Sequence, residues 1–157
     1  RWRRRKLVMK SLFSFFFHPP SIDHKKVVAA IAAAEAKTSG EIRVVLVHHV
    51  VNDPVAEAQR EFVKLGMTQT KHRNGILILL APRSRKFAVV GDTGIHAQCG
   101  EGFWTELAAS MSSYFRSGKF TYGLEHGIKW AGESLAKFFP AEPDDRDELP
   151  NDIVERP

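Results

Sequence analysis

Two apolar runs in the middle of the chain carry the clearest structural pattern. The first, Ile76 to Ala81, contains no polar position, so both of its faces should be buried, as in a central strand with helices on either side. The second, Lys86 to Val90, is rich in Phe and Val. A short Pro-Arg-Ser-Arg link at 82–85 separates the two runs and is typical of a hairpin connection. The pattern therefore predicts two neighbouring antiparallel strands at the centre of the fold.

Upstream of this hairpin the periodicity predicts a helix, a strand and a second helix. The helix runs from Asp23 to Thr38 with Ser21 as its N-cap, and apolar residues recur on one of its faces. The strand runs from Glu41 to Val51 with alternating side chains. The second helix begins at Asp53-Pro54, a capping residue followed by proline at the first helical position, and ends before Gly66.

Downstream of the hairpin we expect a glycine-punctuated loop or short helical turn from Thr93 to Gly102, then helices near Phe103–Arg116 and Thr121–Phe138. An acidic tail follows, and the apolar residues of Leu149–Val154 predict that its end docks on the domain again. The order α-β-α-β-β-α-α predicts an α/β/α sandwich in which a small mixed sheet, including the hairpin, has helices on both faces.

Charge divides the chain into three segments: a basic and aromatic segment at 1–20, an α/β domain at 21–140 and an acidic tail at 141–157. The formal net charge is +5, but residues 1–10 hold six Arg or Lys and no acid, and residues 142–157 hold seven acids. Because the remaining middle is only weakly positive and shows no platform of exposed aromatic and basic residues, we expect no nucleic-acid binding. The single cysteine, Cys99, excludes an intrachain disulfide.

The basic and aromatic segment at 1–20 has two interpretations. Its cations and the rings of Phe13 to Phe17 could contact a protein partner or an anionic membrane surface. The alternative, which aromatic burial favours, is that the rings dock on the domain's own core. Lys10 interrupts the apolar run, and no segment has the roughly 18 apolar residues that a spanning helix needs. We therefore expect no transmembrane helix and a cytoplasmic rather than envelope-associated location.

Motifs that would identify a reaction are missing from the sequence. It contains no Gly-x-x-x-x-Gly-Lys-Ser/Thr loop, no Gly-x-Ser-x-Gly elbow and no His-Glu-x-x-His helix. Cys99 lacks an arginine six positions on, where Thr105 stands, and Asp145-x-Asp147 lies in the acidic tail rather than at the end of a strand. The catalytic residues, if any exist, are therefore unknown at this stage.

The predicted architecture does single out Asp92, because it follows the strand Lys86 to Val90, where loops of α/β folds form crevices. A carboxylate among loop carbonyls suits a hard cation such as Ca²⁺ or Mg²⁺, and Glu101, Glu41 and His96 are the candidates to complete the shell. The simpler interpretation, which the sequence favours, is that Asp92 caps the next turn.

Two arginines are candidates to bind a phosphate. Arg73 ends the basic row Lys71-His72-Arg73 just before the hairpin, and Arg83 lies in the hairpin link. A guanidinium binds phosphate oxygens through paired N–H groups. A solvated surface row is the commoner role of such residues.

Taken together, the segments resemble the TPM domain family over about Ser21 to Phe139. The motifs that carry the resemblance are Thr38-Ser39-Gly40-Glu41-Ile42, Arg73-Asn74-Gly75-Ile76-Leu77, Arg85 to Ile95, Phe103-Trp104, Phe115-Arg116-x-Gly118 and Gly123-Leu124. The resemblance implies an α/β/α sandwich, divalent metal binding near Asp92 and a proposed acid phosphatase activity. It supplies no nucleophile that maps onto a residue here.

Two functions remain open after the sequence alone. The first is a noncatalytic module that binds Ca²⁺ or a partner. The second is a metal-assisted phosphatase, with a cation at Asp92 and with Arg73 or Arg83 on the phosphate.

Overall fold

The fold is described by a computed structural model covering residues 11–12, 21–143 and 151–157. A five-stranded sheet lies at its centre, in the order β1-β4-β3-β2-β5. The strands are β1 (Ser11–Leu12), β2 (Glu41–Val47), β3 (Gly75–Ala81), β4 (Lys86–Gly91) and β5 (Val154–Arg156). β3 pairs parallel with β2 and antiparallel with β4, β5 pairs parallel with β2, and β1 pairs antiparallel with β4, so the sheet is mixed, as predicted.

Among the described residues, five α-helices cover the two faces of the sheet unequally. They are α1 (His24–Glu35), α2 (Pro54–Lys64), α3 (Thr93–Cys99), α4 (Glu101–Arg116) and α5 (Phe120–Phe138). Residues of α1, α3, α4 and α5 pack in one apolar core against one face, and α2 packs in a second core on the other. The predicted α/β/α sandwich is therefore confirmed. In the described part of the chain, no helix combines the length and the apolar character needed to cross a membrane.

Burial on both faces of the sheet explains the hydrophobic pattern of the two central strands, β2 and β3. Every residue of β2 and of β3 is buried, and successive side chains enter the two cores alternately: Ile76 and Ile78 pack under α1, α4 and α5, while Leu77 and Leu79 pack under α2. The hairpin between β3 and β4 is confirmed, and a single turn of 3-10 helix, Pro82–Ser84, forms its link.

Three boundaries differ from the prediction. The first helix is capped by Asp23, whose Oδ1 accepts the Lys26 N–H at 3.2 Å, rather than by Ser21, and it ends at Glu35. The strand predicted to reach Val51 ends at Val47, because its pairing with β5 ends there, and Val50 is exposed. Of the two alternatives predicted for 93–102, the short helical turn is the one observed, as α3.

The end of the acidic tail docks as predicted, since Val154 begins β5 and packs in the core under α2. The predictions for the basic and aromatic segment, except the backbone of Ser11–Leu12, and for residues 144–150 lie outside the described residues.

Candidate functional site

Asp92 lies where β4 ends and α3 begins, fully buried. Its backbone N–H donates to the Gly75 carbonyl at 3.0 Å, and its Oδ1 accepts the Thr93 N–H at 2.7 Å. The carboxylate therefore caps α3, and the simpler interpretation of Asp92 is confirmed. The turn around it leaves no space for side chains: a Cβ on Gly94 would lie 2.1 Å from the His72 carbonyl oxygen, and one on Gly91 would lie 2.1 Å from the Trp104 ring.

The guanidinium of Arg73 covers this buried carboxylate. Arg73 Nε donates to Asp92 Oδ2 at 2.7 Å and an Nη donates to Oδ1 at 2.9 Å, a bidentate pair. The hydrogen bond to Asp92 raises the pKa of Arg73, so the group stays charged. Arg73 has a left-handed backbone (φ 51°), and its carbonyl accepts the Gly94 N–H at 2.8 Å. With its side chain 43% exposed, the guanidinium separates Asp92 from solvent.

The other three predicted metal ligands do not converge on Asp92. Glu41 begins β2 and lies beside Gly75 of β3, buried at the same end of the sheet. His96 Nδ1 accepts the Trp104 Nε1–H at 3.0 Å, while its Nε2 lies 3.8 Å from Oε1 of Glu101, whose side chain is 72% exposed. Among the described residues no three His, Cys, Asp or Glu side chains form a group that could hold a metal ion.

The donor set therefore does not fit a Ca²⁺ shell in this arrangement. Ca²⁺ takes six to eight oxygen ligands. Both oxygens of Asp92 already accept hydrogen bonds, and the neighbour that covers them is a cation. A cation could bind Asp92 only after Arg73 had moved away. The expectation of a metal ion stays a prediction.

The two predicted phosphate-binding arginines lie at opposite ends of β3. Arg73 precedes this strand, whereas Arg83 follows it and is exposed in the hairpin link. Seven residues of extended chain separate the two ends by roughly 20 Å. Arg73 and Arg83 therefore cannot bind the same phosphate group.

The sequence analysis identified the basic row at 71–73, but it did not identify Glu142, the carboxylate that Lys71 and His72 contact. His72 Nε2 lies 2.7 Å from Glu142 Oε1, and Lys71 Nζ lies 3.8 Å from Oε2 of the same carboxylate. The His72 ring also lies 6.0 Å from that of Phe139, just after α5. Glu142 is 70 residues away along the chain, and no local pattern predicts the contact.

A second polar cluster fastens β5 at the other end of the sheet. Glu155 binds His48 through one carboxylate oxygen (2.7 Å) and His24 through the other (3.1 Å). These hydrogen bonds, that of His48 foremost, hold the pKa of Glu155 below its usual range. The next residue, Arg156, forms a bidentate pair with the buried Glu61 of α2 at 2.9–3.2 Å. No local pattern along the chain predicts either contact.

One hydroxyl and imidazole pair raises the question of covalent catalysis. Ser110 of α4 hydrogen-bonds His126 Nε2 of α5. No carboxylate of the described residues orients this imidazole, and both groups sit in mid-helix, where backbone N–H groups bond within the helix and cannot form an oxyanion hole. The pair is therefore a contact between helices rather than a catalytic dyad.

The chain matches one family model and several solved structures. The family model described as "TPM domain" matches residues 21–133. Among solved structures, the NMR structure of the BA42 protein from the psychrophilic bacterium Bizionia argentinensis is similar, with 42% identity and a TM-score of 0.77, covering 84% of this chain and 91% of that one. A search of curated proteins found no match.

Proposed function

The chain belongs to the TPM domain family, and from this premise we propose that it is a noncatalytic binding module for an acidic protein segment. The binding surface is the row Lys71, His72 and Arg73, which we call the docking edge. It lies at the end of the sheet where β2 and β3 begin.

The observation that carries the proposal is that the docking edge already holds carboxylates supplied by the chain itself. Arg73 holds Asp92, and His72 with Lys71 holds Glu142. Glu142 is partly exposed, so an aspartate or glutamate from another protein could replace it without opening the core. The chemistry of the occupant is thereby indicated: it carries carboxylates rather than cations or apolar side chains.

Asp92 orients the guanidinium of Arg73 before any partner binds. A guanidinium has five N–H donors, and the two hydrogen bonds to Asp92 use two of them. Because Asp92 is buried and binds the guanidinium through two hydrogen bonds, it restricts the orientation of this partly exposed group. An orientation fixed in advance lowers the entropy lost when a second carboxylate binds.

The test is an NMR titration of the full chain with a hexaglutamate peptide, with hexalysine as the charge control. We expect amide shifts centred on residues 71–74 with hexaglutamate alone, weakening as salt is added because exposed charges are screened. Lys71→Ala should weaken binding. Arg83→Ala is the matched control, since this exposed arginine lies at the other end of β3. Equal losses in the two variants, or shifts spread over all basic residues, would contradict a specific docking edge.

In the same titration, the Glu142→Gln variant tests whether Glu142 competes with the peptide for the docking edge. If Glu142 competes for Lys71 and His72, removing its charge should tighten hexaglutamate binding by roughly threefold or more, on the scale of an exposed ion pair. Weaker binding in this variant would mean that Glu142 supports the edge instead of occupying it.

Divalent cations are tested in the same sample. Ca²⁺ and then Mg²⁺ are added while the amides of residues 91–102 are followed, with Asp92→Asn as control. Since Arg73 occupies Asp92, we expect no saturable shift there. Saturable shifts that the Asp92→Asn variant loses would establish a metal site and replace our proposal.

The phosphatase alternative requires a nucleophile or a bound metal beside a phosphate. Neither the acids around Arg73 nor the Ser110–His126 pair has the geometry for that role. We expect hydrolysis of p-nitrophenyl phosphate at the background rate, with and without divalent cations. Turnover that Asp92→Asn abolishes without unfolding the protein would contradict the noncatalytic proposal.

A further inference from the structure

A groove of about 440 Å³ runs between α1 and α5 on the outer side of the helical layer. The two helices run in the same direction, since Thr121 Oγ1 accepts the Asp23 N–H (3.0 Å) near their starts and Gly132 lies against Ala34 near the end of α1. Small side chains form the floor of the groove: Ala30, Ala33, Ala34, Gly132 and Ala136. A larger side chain at Gly132 would push the two helices apart, because even a methyl group there would lie 2.6 Å from the Ala34 methyl.

Four charges surround this apolar floor: Lys37, Glu125, Lys129 and Glu133. Within the described part of the chain, none of these four side chains forms an ion pair or a hydrogen bond. Two are positive and two negative, so the rim has no net charge. A partner that matches it must also present both signs.

A large aromatic side chain lies at one end of the same face. Tyr122 is 60% exposed and precedes Glu125, Lys129 and Glu133 on α5 by three, seven and eleven residues, a spacing that places all four on one side of a helix. Exposed tyrosines are frequent anchors of protein interfaces, because they contribute large contact area with few rotatable bonds. Here the anchor lies beside a groove large enough to accept an aromatic ring.

We propose that this face joins two copies of the chain about a two-fold axis, with Tyr122 of each copy seated in the alanine-floored groove of the other. A two-fold interface uses the same patch twice, so the patch must be complementary to itself. The α1–α5 face meets that requirement, since it carries both a projecting ring and a groove, and both signs of charge in equal number. An anionic membrane or a nucleic acid would instead favour an excess of positive charge.

The first test is sedimentation of the full chain over a concentration series. We expect a reversible dimer with Kd in the micromolar range, and at least a roughly tenfold rise in Kd for Tyr122→Ala, the effect of losing an interface anchor. Val63→Ala is the matched control, because Val63 is comparably exposed (57%) but lies on α2, across the sheet. A chain that stays monomeric at millimolar concentration, or equal losses in the two variants, would overturn the proposal.

A charge exchange tests the two-fold arrangement itself. One variant carries Glu125→Lys and Glu133→Lys, and the other carries Lys37→Glu and Lys129→Glu. All four positions are on the surface, and circular dichroism of each variant verifies its fold. Each variant alone should be monomeric, since like charges then face each other, and an equimolar mixture should dimerise. A mixture that remains monomeric, or a single variant that dimerises as well as the original chain, would contradict a self-complementary face.

Discussion

Arg73 and Arg156 each hold a buried carboxylate through paired hydrogen bonds, at opposite ends of β2. Arg73 binds Asp92 beside the start of the strand, and Arg156, which pairs with Val47, binds Glu61 at its end. In each pair the acid is almost inaccessible and the arginine is partly exposed. The hydrogen bond that the arginine donates to the carboxylate raises the pKa of the arginine in both cases.

What surrounds the two pairs is different. Asp92 also caps α3, and the chain on either side of it is confined by backbone contacts at Gly91 and Gly94. Glu61 lies within a helix, and its arginine belongs to a three-residue strand at the edge of the sheet. The Arg73–Asp92 pair therefore stabilises the tightly packed turn between β4 and α3, whereas the Arg156–Glu61 pair attaches the edge strand β5 to α2. The first should unfold with the whole domain, and the second should open locally.

The strongest test of this difference is Gly94→Ala. The added methyl would meet the backbone oxygens of His72 (2.1 Å) and Arg73 (2.7 Å), and the latter is held by the Gly94 N–H. We expect the free energy of unfolding to fall by about 3 kcal/mol or more, at the upper end of overpacking effects. Urea denaturation measures it.

Gly102→Ala is its control. Gly102 lies in the first turn of α4, and no atom apart from its chain neighbours and the adjacent helix backbone lies within 4 Å of the methyl position. Alanine there should stabilise the protein by about 0.5 kcal/mol, through its higher helix propensity. If both substitutions had the same effect, the corner at Asp92 would not be confined as described.

Asp92→Asn is the next most severe change. Asparagine can still cap α3, but it leaves the Arg73 guanidinium without an anionic partner. Because Arg73 can turn toward solvent, we expect a loss of about 2 kcal/mol, less than for a fully buried pair. Asp53→Asn, at an exposed cap of α2 without an arginine, should cost less than about 0.5 kcal/mol in the same urea experiment. Equal costs would assign the role of Asp92 to capping alone.

At the other end of the sheet, Arg156→Ala should release β5 with a smaller loss of about 1.5 kcal/mol, the low end for a hydrogen bond to a charged group. The diagnostic measurement is amide hydrogen exchange. The backbone bond from the His48 N–H to the Arg156 carbonyl (2.8 Å) should open many times faster, while amides of β3 keep their protection. Faster exchange throughout β3 would show that β5 unfolds only with the core.

The smallest effect concerns pH and Glu155. Hydrogen bonds with His48 and then His24 lower the pKa of this carboxyl, so its stabilisation is present above the unfolded value of 4.5 and is lost as pH falls through the folded value. Since the side chain is half exposed, the difference between the original chain and Glu155→Gln at pH 7 should stay below about 1 kcal/mol. The difference should shrink as pH falls below 4.5, and a difference that grows from pH 7 to pH 3 would contradict the assignment.

Most of the fold followed from residue patterns that are local along the chain. The unbroken apolar run at 76–81, the link at 82–85 and the stripes of the later helices predicted β3, the hairpin, α4 and α5 with boundaries close to those observed. The end of β2 could not be predicted in this way. Val50 looks as apolar as Val47, and only the length of the neighbouring strands decides where pairing ends.

The candidate site was predicted less completely, because polar side chains find partners that are distant in sequence. Asp92 stood out by its position after a strand, and its role as a cap was anticipated, but a cap and a metal ligand carry the same carboxylate. The pairing with Arg73, 19 residues away, decides what Asp92 can bind. Two further contacts could not be predicted from local patterns: Glu142 binds His72, 70 residues away, and Glu155 binds His24, 131 residues away.

By itself, then, the sequence determined the layers, the central hairpin and the family. Burial imposes a period of two residues on strands and of 3.6 on helices, and both periods can be recognised from residues that are close together in the sequence. Only the tertiary structure decided which charges meet, because an ion pair depends on where two separate segments cross. At the start of β3 this crossing pairs the buried carboxylate of Asp92 with the guanidinium of Arg73.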